Sequence, residues 1–257
     1  LVFRKLRLIL LLFILFVVGM DTYLTKIRTT DWDRPLYVLI HPINGDGSET
    51  SREYIQGLGL ENFEDVEQFF KDEAERYKLS LAQPVKVILA PPLQVFPPPP
   101  PKDRQVLKIM LWSLKLRYWS ATVDSAYAGP PEDVNIYVKY FDPDSFSTLE
   151  HSLGLEKGLI GVVNAYASTR MDATNNVVIA HEFLHTVGAS DKYDLSSGQP
   201  LFPDGYADPE RQPRHPQEYA EIMGGKVPIS DHESKIPESL YSALVGNKTA
   251  REINWLQ

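Results

Sequence analysis

The chain has 257 residues, a net charge of −8, 43% apolar residues and no cysteine. That apolar share is an ordinary globular composition rather than a disordered one, and the length suffices for one large domain or two small ones. The lack of cysteine excludes disulfides and thiolate metal ligands, and an acidic chain with no basic stripe to neutralise phosphates excludes nucleic acid as a partner.

In chain order, Arg4, Lys5 and Arg7 precede an uninterrupted apolar run, residues 8–18. Basic residues followed by an apolar run are the order of a secretory signal, in which the positive flank stays cytoplasmic and the chain beyond crosses the membrane. The run is short against the roughly 17–25 residues of a spanning helix. Gly19-Met20-Asp21-Thr22 is a poor small-x-small cleavage site. Residues 1–24 are therefore expected to be an uncleaved membrane anchor, with the following domain periplasmic or extracellular. The alternative is a signal peptide, cleaved to release a secreted protein.

From about Asp31 the pattern alternates between strands and helices. Leu36-Tyr37-Val38-Leu39-Ile40 reads as a strand closed by the turn Asn44-Gly45-Asp46-Gly47. Phe63, Val66, Phe70, Ala74 and Tyr77 share one helical stripe, with Asn62 as N-cap. A second strand follows at residues 84–89, and Pro97 to Pro101 form an extended surface loop. Leu107, Leu111, Leu114 and Tyr118 define a helix starting near Asp103, with Trp112 and Trp119 as packing residues. Val134, Ile136, Val138 and Tyr140 alternate with Asn135, Tyr137 and Lys139, which predicts a half-buried strand. Residues 159–167 are a further strand. A last helix is expected between Pro237 and Gly246, and His41, His151 and His232 read as surface or capping residues.

A helix starting near Thr174 carries the most informative residues, His181-Glu182-Phe183-Leu184-His185. At 3.6 residues per turn, His181 and His185 lie on one face, one turn apart, so both imidazoles can reach a single metal ion. Glu182 is badly placed as a third ligand but can hold the metal's water and take its proton. Gly188 can adopt the left-handed conformation that ends the helix, and Asp191 can then return a carboxylate to the ion. Two neutral nitrogens, one anionic oxygen and an open position describe a catalytic zinc site rather than a closed structural one. Apolar residues around most of the helix circumference predict burial against the sheet, with the metal face left open.

The stretch from His181 to Asp191 resembles the extended zinc motif of the metzincin metallopeptidases, in the minority version ending in Asp, similar to the snapalysin-type neutral proteases. Glu221-Ile222-Met223-Gly224-Gly225 is placed as the methionine turn that these enzymes carry beneath the metal. The resemblance implies an α/β (α+β) fold: a mixed twisted sheet, a buried active-site helix and a mostly irregular C-terminal part. Residues 31–257 would form a single domain, with 31–188 as its upper and 189–257 as its lower part. It implies a zinc-dependent endopeptidase acting on extended polypeptides, with Glu182 as general base, a zinc-bound water as nucleophile, His181, His185 and Asp191 as ligands of Zn2+, and Met223 as an apolar floor. It also implies an edge strand that pairs with the substrate. By position that strand is 161–166, with Val162, Val163 and Asn164 as substrate contacts.

The segment 192–223 is polar and irregular, as a cleft wall would be. Within it His215, Tyr206 or Tyr219 could donate a hydrogen bond to the developing oxyanion. Two alternatives stay open. Glu218 or Glu221 could be the third zinc ligand instead of Asp191, or the chain could be a membrane-tethered zinc-binding module without catalysis. Glu182, which a purely structural site does not need, speaks against the second.

Overall fold

A computed structural model describes residues 28–101, 103 and 105–256, together with six positions before residue 21. Most of the expected anchor, 8–18, lies outside the described residues. Among those described, no helix is long and apolar enough to cross a membrane.

Five strands form one mixed sheet: β1 (Leu36–Asn44), β2 (Val85–Leu89), β3 (Val134–Phe141), β4 (Leu153–Leu155) and β5 (Ile160–Tyr166), in the order β2-β1-β3-β5-β4. β2, β1, β3 and β5 run parallel, and β4 pairs antiparallel with β5. Parallel neighbours need crossovers rather than hairpins. Helices α1 (Glu49–Gln56) and α2 (Glu64–Arg76) lie between β1 and β2, and α3 (Val106–Asp124) lies between β2 and β3. The expected strands at 36–40, 84–89 and 159–167 are all present, and the helix bearing the Phe63–Tyr77 stripe runs Glu64–Arg76, with Phe63 rather than Asn62 at its N-cap.

Two cores flank the sheet. Leu36, Val38 and Ile40 of β1 pack with Phe63, Val66 and Phe70 and with Val177, Ala180 and Phe183 of helix α4 (Asp172–Thr186). On the other face Ile43, Tyr137, Ile160 and Val162 meet Leu116 and Val123 of α3. β3 is thus buried on both faces, where alternation had predicted one. Its polar members find partners inside: Asn135 Oδ1 accepts from His41 Nε2 at 2.9 Å, and the Tyr137 hydroxyl meets Ser120 Oγ at 2.8 Å. His41 is accordingly a core residue, 1% exposed and stacked on Tyr137, not a surface one.

α3 also differs from expectation. Its stripe of Leu107, Leu111, Leu114 and Tyr118 faces solvent, and Leu116, Ser120 and Val123 face the sheet. The helix is apolar on two opposite sides, so periodicity alone selects a face without saying which one is inside. Trp112 and Trp119 do pack on the second core.

Beyond α4 the chain is mostly turns. Two short pairings, β6 (Ala220–Glu221) with β9 (Ala243–Leu244) and β7 (Val227–Pro228) with β8 (Ser234–Lys235), precede α5 (Asn247–Glu252). Gly246 begins this last helix as its N-cap instead of ending one.

Candidate metal centre

α4 starts at Asp172, two residues before the expected Thr174, and its carboxylate accepts hydrogen bonds from Tyr54 and Asn62. The helix lies close against the β4–β5 ribbon because two glycines face each other there. Gly154 of β4 and Gly161 of β5 are register partners. A Cβ on Gly154 would fall 2.5 Å from the Glu182 carbonyl oxygen and 2.6 Å from His185 Cβ, and one on Gly161 would fall 2.5 Å from Ile136 Cδ1. Any larger residue at 154 would push the helix off the edge strand.

The helix ends as its sequence requires. Gly188 has φ +106°, a region L residues avoid, and Ala189 N–H closes the turn on the Leu184 carbonyl at 3.0 Å. The reversed chain is then pinned. Lys192 N–H donates to the Met223 carbonyl at 2.9 Å. The buried Lys192 ammonium donates to the Ser190 carbonyl at 2.6 Å and to Glu252 at 2.7 Å. Glu252 also accepts from the Ser190 N–H and hydroxyl. Asp191 is held between these anchors. Lys192→Met should therefore loosen the carboxylate and weaken divalent-ion binding by about 10–100-fold, as loss of an outer support does. Competition with a chromophoric chelator measures this; unchanged affinity would show that the clamp plays no part.

Asp191 Oδ1 lies 3.2 Å from His181 Nε2 and 3.1 Å from His185 Nε2. The Nδ1 atoms bond to the Ile222 carbonyl at 2.9 Å and the Ala189 carbonyl at 2.8 Å. A carbonyl only accepts, so Nδ1 carries a proton in both rings; Nε2, when protonated as well, donates to the shared carboxylate, and a metal ion would take that second proton's place. This is the tautomer and orientation that metal-ligating histidines adopt. One ligand atom from each residue falls within 4.8 Å of the others, so His181, His185 and Asp191 can hold a metal ion.

The electrostatics are those of a cation site. Burial lowers the His181 pKa, but the hydrogen bond to Asp191 and the charge of Glu182 outweigh it and the net shift is upward. Burial pushes Asp191 up, yet its hydrogen bonds to both histidines hold it well below the usual carboxylate range. Glu182 is 5% exposed, and its Oε2 has no hydrogen-bond partner among the described residues. Burial raises its pKa despite the neighbouring histidines.

The Glu221–Gly225 segment reaches the centre through Ile222. Ile222 supplies the carbonyl that fixes His181, Gly224 and Gly225 N–H groups turn back to the Glu221 carbonyl, and Met223 is fully buried. The Glu221 carboxylate is occupied elsewhere, accepting from Gly224 N–H, Gly246 N–H and the Thr249 hydroxyl. Glu218 is exposed, with Arg211 3.7 Å away. Neither joins the histidines among the described residues.

The other expected contact residues are engaged within the fold. β5 is an interior strand with β3 on one side and β4 on the other, so 161–166 is not the sheet edge. Val162 and Val163 are core residues, and Asn164 spends its amide on the Glu150 and His151 carbonyls, which hold the approach to β4. The edge beside α4 is β4. Tyr206 and His215 bond to each other at 3.1 Å, and Tyr219 lines a hollow with Asp65 and Arg76. Tyr193 is what the sequence reading missed. Its ring lies 6.3 Å from that of His181, and burial followed by the charges of Asp191 and Glu182 pushes its phenol up to about 12. His151 is exposed, as expected, yet close enough to Glu182 to act to lower its pKa. No family model matches the chain and no curated protein matches it, so what stands is a mixed α/β fold that presents a His181–His185–Asp191 group able to hold a metal ion.

Proposed function

We propose that the chain is a zinc-dependent endopeptidase of metzincin type, tethered to the membrane on the extracytoplasmic side by residues 8–18. The observation that carries the enzymatic reading is Glu182: a buried carboxylate with an unpartnered oxygen, next to two imidazoles aimed at one point. A structural metal site has no use for such a group, and burying it unpaired carries a cost that needs a functional return.

A zinc ion held by His181, His185 and Asp191 would supply a Lewis acid that polarises the scissile carbonyl and makes water acidic enough to ionise near neutral pH. The chain's own residues do the rest. Glu182 Oε2 accepts the water proton and passes it to the leaving amine nitrogen. Tyr193, kept protonated by its raised pKa, donates a hydrogen bond to the carbonyl oxygen as charge builds there. The free edge of β4 takes up the extended substrate backbone, the role expected earlier of 161–166. Met223 keeps the floor beneath the imidazoles apolar.

Elemental analysis of the purified protein, combined with a peptide-library digest with and without chelator, tests this reading. Stoichiometric zinc and cleavage that stops on chelation and returns with zinc support it. Bound zinc without cleavage of any peptide would leave a non-catalytic zinc-binding module, and absence of metal would remove both.

A further inference from the structure

Helix α3 has a second apolar face that none of the described residues covers. Leu107, Met110, Leu111, Leu114 and Tyr118 recur at helical spacing and are between 54% and 75% exposed. Singly exposed apolar residues are ordinary, but a continuous stripe of this size marks an interaction surface. At 100° per residue, exposed Lys115 and Lys108, the latter paired with Asp103, fall along one border of the stripe, while Arg117 on the other is half-buried against Gly158. Val95 and Phe96, also exposed, precede Pro98, whose carbonyl accepts the Trp112 indole N–H at 2.8 Å. The patch therefore continues onto the proline segment.

We infer that α3 is a membrane-surface helix that lays this face into an anionic phospholipid bilayer. Charge decides the occupant. Residues 102–117 carry Lys102, Arg104, Lys108, Lys115 and Arg117 against a single acidic residue, Asp103, in a chain whose net charge is −8. An apolar stripe bordered by lysine and arginine suits acyl chains below and phosphate headgroups beside, with the long basic side chains reaching up to the phosphates. A second copy docked through the same face would bring these cations against their own counterparts. The helix lies on the bilayer rather than across it, because Lys108, Lys115, Arg117 and Asp124 interrupt its 19 residues. α3 covers the sheet face opposite α4. Contact through α3 therefore leaves the His181 side open to water, and a substrate would arrive from the aqueous phase.

The inference stands apart from the metal centre and is tested without it. The cysteine-free chain allows single nitroxide labels on the full-length protein at Leu111→Cys and Tyr118→Cys, both exposed and so harmless to the core, with Glu75→Cys on α2 as reference. On phosphatidylcholine–phosphatidylglycerol vesicles, labels at 111 and 118 should become several-fold less accessible to a water-soluble nickel chelate and more accessible to oxygen. The reference should not change. Lys108→Glu combined with Lys115→Glu, or vesicles without phosphatidylglycerol, should reduce the effect. Labels that stay open to the chelate overturn the inference. Labels shielded from chelate and oxygen alike also overturn it, since protein, either a second copy or residues 8–18, would then cover the face.

Discussion

On the proposed function, Glu182→Ala should keep its metal and its fold and lose peptide hydrolysis by about 10²-fold or more, the contribution of a positioned general base. The fold should survive because the carboxylate's Oε2 bonds to none of the described residues, and burial raises its pKa. Removing a buried unpaired acid relieves a desolvation cost, so thermal stability should hold or rise. The metal should survive because His181, His185 and Asp191 keep their positions through the Ile222 and Ala189 carbonyls and the Lys192 clamp, none of which involves Glu182. Glu182→Gln makes the same point with the shape preserved, since an amide cannot accept the proton. Zinc content, melting temperature and turnover of a library-selected peptide are the three measurements. A variant that binds zinc and still cleaves at a wild-type rate would remove Glu182 from the mechanism, and with it the main reason for reading the site as catalytic.

How much of this was legible depends on how local each signal is. His181, Glu182 and His185 follow from helical period alone, and the Gly188 turn from the need to end a helix, so that part of the site could be placed residue by residue. β1 and β5 were legible because parallel strands buried on both faces read as apolar runs, and β2 because Val85, Val87 and Ile88 are strand formers around an exposed Lys86. The edge strand was not. Leu153–Leu155 is three residues long, below any periodicity window, and only its pairing with β5 makes it a strand. The sheet edge was consequently placed one strand too far in. β3 was found but its burial misjudged, since Asn135 and Tyr137 look solvent-facing until His41 and Ser120 are brought across from other elements. Gly246 was read as a helix end although it is a helix start, because glycine serves at either. Tyr193 carried no signal at all. Its place beside His181 depends on how the chain after Asp191 folds back, and that is set by Met223 and Glu252 far along the sequence.

Asp191→Ala should abolish stoichiometric zinc binding, weakening it beyond the roughly 100-fold that loss of an outer support costs, because one of three protein ligands and the only negative one disappear. The two imidazoles would still converge, but the carboxylate oxygen that both now address at 3.1 and 3.2 Å would be gone. Asp191→His should recover much of the affinity, since the commoner form of the motif ends in histidine. Glu218→Ala should leave zinc content unchanged, for Glu218 is exposed with Arg211 3.7 Å away. Glu221 needs a gentler change. Its carboxylate satisfies two backbone N–H groups and the Thr249 hydroxyl in the interior, so Glu221→Ala would orphan buried donors and destabilise the methionine segment. Glu221→Gln retains an acceptor there and should keep zinc bound while lowering the melting temperature. These outcomes separate the two ligand sets. If zinc stays on Asp191→Ala and leaves on Glu218→Ala or Glu221→Gln, the third ligand comes from the later segment. Asp191 would then be a loop carboxylate that merely hydrogen-bonds the histidines, and the metzincin reading would fall while the zinc peptidase one survived.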